Sequence, residues 1–600
     1  MRTLSALNGY LWRYRLYLLG GVVFVVISNL FAVYPAQVVR GAIDLVGDML
    51  RLLHIFGGFG LADTLQAMLS YNLLLFGGLV IALALFRGVF VFLNRQTIIV
   101  MSRHIEYDLR NDLYDHLQGL SLTFYRGSRT GDLMARISED VSRVRMYLGP
   151  GIMYTLNTLT LFVVVLTTMF MVNTRLTLFA LLPLPFLSYL IYRVEGVIQQ
   201  RSERIQEQLS TLTTFAQEIF SGIRVIKAYV QERPASLRFG EASETYKARS
   251  LHLARVDALF YPLVVLLVGV SVVLTVWIGG EQVLRGQLSI GNIAEFIIYI
   301  NLLTWPIVSV GWVTTLIQRA AASQQRLNEL LAERSEIVFP ARGPQVAAAH
   351  LVFEDVDYTY PGTGIAALRG VSFALQPGQK LGVVGPAGSG KSTLCAVIPR
   401  LFDPSHGTIY LDGRPLQAYD KEGLRQAIGY APQDVFLFSD TIEGNIAFGR
   451  SGATPDDMTE ATRRSSIHDS IGEFAEGYHT LVGERGVTLS GGQKQRISLA
   501  RAWVRQPRLL ILDDVLSAVD TQTEAAILGA LRAYRQQHPG VAVIQVAHRI
   551  SCIQDADLIL VMDDGRIAES GSHDELLAQG GYYARIYEKQ LAEEDPAPAQ

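Results

Sequence analysis

The chain has 600 residues, of which 50% are hydrophobic and 18% charged, with a net charge of −3; this allows two to four domains and excludes a chain too polar to form a core. With so small a net charge no polyanion-binding surface is implied globally, the apolar spans described below argue against a nucleic-acid partner, and the two cysteines, Cys395 and Cys552, are too few for a disulfide framework. A mean hydropathy of +0.26 reads as the average of a membrane half and a soluble half.

The opening residues MRTLSALNGYLWRYR lack the small-residue site of a cleavable signal, and Arg2, Arg13 and Arg15 predict a cytoplasmic N-terminus. Crossing hydrocarbon takes about 20 apolar residues. Runs of that kind lie at Leu16–Val39, Tyr71–Leu93, Tyr147–Val172, Leu176–Tyr192, Ala258–Gly279 and Ile293–Ile317, the third and fourth joined by the turn Asn173-Thr174-Arg175. An all-α transmembrane domain of six helices over 1–320 is therefore expected. Arg87 lies within the second run, and Arg255 and Asp257 lie beside the fifth. Such charges line a cavity or sit in a wet or protein-packed cytoplasmic half of the helix. Trp305-Pro306 in the last run is a place for a bend, since proline removes a backbone hydrogen bond.

Residues 94–146 hold eight arginines and 193–255 hold ten Lys or Arg, whereas the opposite loops hold few. The basic segments are thus read as cytoplasmic. Their helical patterning predicts that the spans continue beyond the membrane as two long hairpins. Leu120–Arg145 breaks at Gly127 and Gly131 and resumes a helix near Asp132; Phe215–Tyr229 breaks at Gly222. These glycines either merely end helices or set off short tip helices that press on a cytoplasmic domain.

Residues 321–348 read as a helix and linker, and from 349 the pattern changes to strands, turns and amphipathic helices. HLVFEDVDYTYPG alternates like a strand before a turn. LGVVGPAGSGKSTLCAVI then gives an apolar strand, a glycine-rich loop and a helix. Gly385, Pro386, Ala387, Gly388, Ser389, Gly390, Lys391 and Ser392 fit G-x-x-x-x-G-K-S in the strand-to-helix context that this phosphate-binding loop demands, and Thr393 follows in the helix. Backbone N–H groups and the helix N-terminus suit phosphates, Lys391 the β- and γ-phosphates, and the Ser392 hydroxyl Mg²⁺. Downstream, RLLILDD ends a buried strand in Asp513 and Asp514; Asp513 is placed to hold Mg²⁺ through water.

Between them stands Leu489-Ser490-Gly491-Gly492-Gln493. With this segment nearly the whole chain resembles the ATP-binding cassette (ABC) family, an α/β P-loop nucleotide-binding domain over 349–590 following the membrane domain. The resemblance implies ATP and Mg²⁺ as cofactors and a signature that caps the γ-phosphate held by an opposite subunit. It further implies that Tyr360 stacks on adenine and that Gln433 links Mg²⁺ and the attacking water to the membrane domain. Glu484 would touch the membrane hairpins, Asp520 would cross the dimer interface, and His548 would contact the γ-phosphate. Membrane domain first, with one nucleotide domain after it, resembles a half-size exporter of the multidrug and lipid type, which marks the stretches near Gly131-Asp132 and Gly222–Lys227 as coupling regions.

In that family the residue after the magnesium aspartate is usually a glutamate that polarises the attacking water. Asp514 is shorter by one methylene, roughly 1.5 Å of reach. The chain is therefore expected to be one subunit of an asymmetric heterodimer, slow at its own site and completing its partner's site with LSGGQ. A homodimer with two working sites and a mainly regulatory ATP-binding subunit are the alternatives. The cargo is expected to be hydrophobic or amphipathic (drugs, lipids or peptides), and the location the cell membrane with both ends cytoplasmic. The tail from 591 to 600 reads as disordered.

Overall fold

The structure, a computed structural model, describes residues 2–56, 60–483 and 486–594. The chain forms two compact units. One contains the residues up to Gln118 and Gly131–Glu333; the other contains Gly119–Thr130 and the chain from Arg334 onward.

The first unit has six helices long and apolar enough to cross a membrane: Arg15–Phe56, Ala62–Gly119, Thr130–Val172, Thr174–Ser221, Glu232–Leu284 and Ile290–Ala332. At about 1.5 Å per residue, helices of 42 to 58 residues outrun the ~30 Å of hydrocarbon, so the expected extensions beyond the membrane are present. Asn173 starts the fourth helix by accepting a hydrogen bond from the Leu176 N–H at 2.8 Å. The apolar window of the second helix has no buried residue, which leaves its side chains a lipid-compatible outer face. Ala36, Val165, Met169, Leu176, Phe296 and Leu303 are fully buried between the other helices.

Polar ties close both ends of this unit. Buried Glu295 accepts from Tyr299 at 2.7 Å and from Arg40 at 3.0 Å, and Asp44 accepts from Ser289 Oγ at 2.7 Å and the Gly291 N–H at 2.8 Å. At the other end buried Asp140 accepts from Ser323 Oγ and Arg326 Nε, both at 2.9 Å. Arg13 and Tyr14 both donate to Asp108 in the extension of the second helix, at 2.7 and 3.1 Å. The N-terminal residues therefore lie on the side of the basic hairpins.

Three sequence readings change in detail. After the short helix Leu122–Gly127 the chain restarts at Thr130, so Gly131 lies inside a first helical turn and does not break it. Arg87, Arg255 and Asp257 are exposed on this chain's surface, not packed inside its helical unit. The sixth helix continues through buried Pro306 and past residue 320 to Ala332, because buried Ser323, Gln324, Leu327 and Leu330 keep one face packed. Gly222 does end a helix, and Ile223–Ala228 follows as a separate short one.

The second unit is α/β. Strands β1 (Leu351–Thr359), β2 (Ala366–Leu375), β4 (His406–Leu411) and β5 (Arg414–Pro415) form an antiparallel sheet in the order β2-β1-β4-β5. The other sheet runs β10-β9-β3-β8-β7-β6, with β3 (Lys380–Val384), β6 (Ile428–Ala431), β7 (Leu509–Asp513), β8 (Ala542–Val546), β9 (Leu558–Asp563) and β10 (Arg566–Gly571). Only β10 is antiparallel to its neighbour. Strands β3, β7 and β8 are buried along their whole length, as the uninterrupted apolar runs GVV, LLIL and AVI require of a covered parallel sheet. The closing helix Tyr582–Glu594 reaches into the stretch expected to be disordered.

Candidate functional site

Parallel strands bring their C-terminal ends to one edge, where open α/β sheets place their ligands. Gly385 follows β3, Gln433 follows β6, Asp514 follows β7 and His548 follows β8, so residues far apart in sequence meet at a single edge.

The loop after β3 needs its glycines. Gly390 has φ +100°, and a Cβ there would lie 2.2 Å from the Ala367 carbonyl oxygen; at Gly385 it would lie 2.1 Å from that of Met562. No side chain fits in either place. Helix Lys391–Val397 starts from this loop. Lys391 Nζ donates to the carbonyls of Gly385 at 2.8 Å and Pro386 at 2.7 Å, so the ammonium is folded into the cradle of its own loop. Burial pushes its pKa below the ordinary lysine value.

Ser392 Oγ donates to Asp513 Oδ1 at 3.0 Å. A hydroxyl and a carboxylate so close together are hard oxygen donors of the kind Mg²⁺ takes alongside phosphate oxygens. Burial pushes Asp513 up to about 6, with the Ser392 hydrogen bond opposing and the Asp514 charge adding. A cation bound beside Asp513 would offset that cost of keeping its carboxylate charged.

Asp514 is 7% exposed and has the left-handed backbone angle φ +52°. That conformation is uncommon outside glycine. Its Oδ2 lies 3.4 Å from Gln433 Nε2 and 3.6 Å from His548 Nε2. Burial raises its pKa, with His548 and then Lys391 pulling the other way. Tyr360, after β1, hydrogen-bonds Thr393 Oγ1 at 2.8 Å, which ties its ring to the loop helix.

The signature residues lie elsewhere in the unit. Ser490 caps helix Gly491–Trp503 in a reciprocal box with Gln493: the Ser490 N–H donates to Gln493 Oε1 at 2.9 Å and the Gln493 N–H to Ser490 Oγ at 3.3 Å. Leu489 is buried as an anchor while Ser490 and Gly491 are exposed. No hydrogen bond among the described residues joins this segment to the phosphate loop. Gln495, one turn on, holds Ser517 Oγ at 3.2 Å and the Ala518 N–H at 3.1 Å, linking the signature helix to the loop that begins with Asp514. Asp520 is exposed and caps helix Thr521–Gln537 through the Thr523 N–H at 2.9 Å. Glu484 lies outside the described residues.

Two groups at the site escaped the sequence reading. Phe402 packs edge-to-face with Tyr360, their centroids 5.7 Å apart, and Arg126, from the segment Gly119–Thr130, lies over both rings. The glycine breaks had singled out that tip, but no motif marked this one side chain.

Residues 17–307 match the family model described as ABC transporter transmembrane region, and 368–517 the one described as ABC transporter. The chain belongs to the ABC transporter family. It is 36% identical over 608 residues to the multidrug resistance-like ATP-binding protein MdlA of Escherichia coli (strain K12), covering 100% of this chain and 98% of that one. It is 33% identical to the ATP-dependent lipid A-core flippase of Aromatoleum aromaticum, over 90% of this chain and 89% of the relative. Among solved structures, a bacterial Atm1-family ABC exporter with ATP bound matches with a TM-score of 0.76 and 26% identity, covering 96% of this chain and 99% of that one. The ABC exporter fold expected from the sequence is thereby established. The protein is a multi-pass membrane ATPase coupled to transport, with its nucleotide-binding domain on the cytoplasmic side.

Proposed function

We propose that this ABC transporter chain is one subunit of a dimeric exporter that moves hydrophobic or amphipathic compounds (drugs, lipids or peptides) outward. We further propose that it hydrolyses ATP slowly at its own site and serves the second half-transporter subunit's site with its signature. The names of its relatives, a multidrug resistance-like protein and a lipid flippase, support the cargo class.

The observation carrying the site assignment is the convergence of Lys391, Ser392, Gln433, Asp513, Asp514 and His548 at one sheet edge. In this reading Gly385–Thr393 bind the phosphates, Lys391 exchanges its two carbonyl partners for phosphate oxygens, and Tyr360 stacks on the base. Ser392, Gln433 and Asp513 hold Mg²⁺, which supplies neutralisation of charge on the phosphate oxygens. Asp514 and His548 face the water and the γ-phosphate. Leu489–Gln493, exposed at Ser490 and Gly491 and not bonded to this chain's own loop, meet the nucleotide of the other subunit, with Asp520 and Glu484 at the interfaces.

The slow-site reading rests on Asp514 carrying one methylene fewer than glutamate. A second reading, a homodimer with two working sites, is favoured by the 3.6 Å approach of Asp514 to His548, which shows an aspartate already near its neighbours. The two separate when the tagged chain is purified from native membranes and its companion identified. The heterodimer requires a different chain whose magnesium strand ends in Asp-Glu and whose signature departs from LSGGQ. An active assembly of this chain alone sinks it.

A further inference from the structure

The rings around Tyr360 hold a cation that nothing in the nucleotide chemistry above uses. Arg126 belongs to the short helix Leu122–Gly127, within the one stretch of the N-terminal half that is part of the nucleotide-binding unit. Its guanidinium carbon lies 4.7 Å from the Tyr360 ring centroid and 4.9 Å from that of Phe402. Tyr358 adds an edge-to-face contact to Tyr360 at 4.9 Å, so the cation sits on an aromatic cluster. Among the described residues no carboxylate pairs with Arg126; ring faces are what hold it. Tyr360 is in turn bonded to Thr393, beside the Mg²⁺-ligand candidate Ser392. The cation, the ring and the phosphate loop therefore form one connected chain of contacts.

A planar guanidinium and a purine seek the same thing from a tyrosine, its electron-rich face. We infer that Arg126 is a placeholder on the base-stacking ring: it covers Tyr360 without nucleotide and is displaced when the base arrives, so that the segment Gly119–Thr130 reads the base directly. This rests on the proposal that Tyr360 stacks on adenine. The phosphate loop senses triphosphate, whereas Arg126 senses the base. A ligand with phosphates but no base leaves the contact in place.

The measurement is binding of ATP and of inorganic tripolyphosphate to the full-length protein in detergent, by calorimetry, for wild type, Arg126→Gln, Arg126→Lys, Tyr360→Ala and the Arg126→Gln/Tyr360→Ala pair. Removing the competing cation is expected to tighten ATP roughly 2- to 5-fold, the equivalent of one exposed cation–π contact, and to leave tripolyphosphate unchanged. Arg126→Lys keeps the charge but loses the planar guanidinium, and falls between wild type and Arg126→Gln. In the Tyr360→Ala background Arg126→Gln has no effect, since the ring they compete for is gone. Arg126→Gln that leaves ATP binding unchanged, weakens it, or shifts ATP and tripolyphosphate equally overturns the placeholder. Tyr360→Ala with unaltered ATP affinity refutes the base-stacking assignment itself. Weakened ATP binding in Tyr360→Ala with a silent Arg126→Gln refutes the Arg126 inference alone.

Discussion

Lengthening Asp514 by one methylene is the sharpest perturbation available. Its carboxylate reaches to 3.4 Å of Gln433 and 3.6 Å of His548 from a left-handed backbone, with the side chain buried. Glutamate adds one carbon–carbon bond, about 1.5 Å of reach. Since misplacing a catalytic group by about 1 Å can cost on the order of 100-fold, Asp514→Glu is expected to speed hydrolysis at this site by about 10- to 100-fold, or ~1.4–2.7 kcal/mol of barrier. The assay is single-turnover phosphate release from the assembled transporter, with the companion's phosphate loop inactivated where the two chains differ. Inserting a methylene into a packed site can cost 1–3 kcal/mol of stability (roughly, by overpacking), so thermal stability and ATP affinity are measured on the same sample. Asp514→Asn serves as the floor: it keeps Asp513 and loses the base. A rate for Asp514→Glu equal to or below wild type, in protein that folds and binds ATP, refutes the claim that side-chain length limits this site.

Three further outcomes follow from the geometry. Gly390→Ala places a Cβ against the Ala367 carbonyl at φ +100°, so it should abolish ATP-induced thermal stabilisation while the membrane helices still assemble. Lys380 is 1% exposed and donates to the Cys552 carbonyl at 2.9 Å and to Asp555; Asp555→Ala strands that ammonium and should cost about 3 kcal/mol in unfolding of the nucleotide domain, whereas replacing Lys380 and Asp555 together by apolar residues should cost less. Asp513 has a folded pKa near 6 against 3.8 in the unfolded chain, so the native state favours its protonated form. That contribution is fully present below pH ~4 and lost as pH rises through 6, about 3 kcal/mol in all. In chelator, Asp513→Asn should thus exceed wild type in melting temperature at pH 8, with the gap closing toward pH 5; a gap that widens on acidification contradicts it.

How far the sequence speaks depends on the kind of signal. Six apolar runs report the spans directly, because crossing hydrocarbon takes about 20 predominantly apolar residues whatever the helix packs against. Gly385–Ser392 and Asp513-Asp514 are equally legible, since buried parallel strands read as apolar runs and the polar residues that end them stand at the sheet edge. Contacts between distant segments are not legible. Arg126 over Tyr360 and the Arg40–Glu295–Tyr299 tie depend on which helix faces meet, and composition carries no such information. The left-handed backbone of Asp514 is likewise set by packing, because Asp-Asp as a dipeptide shows no turn preference strong enough to announce it. Gly131 misled because glycine is a weak helix former but not a forbidden one: Thr130 starts the helix and the glycine is carried inside it.

The proposed division of labour between two nucleotide sites is tested most directly by asking which chain holds which nucleotide. The assembled transporter is given radiolabelled photoreactive ATP for about one turnover, crosslinked, and each chain's label is resolved into ATP and ADP. A slow site at Asp514 predicts ATP on this chain and ADP on its companion. Equal ADP at both sites, or a single chain species carrying all the label with full turnover, contradicts it.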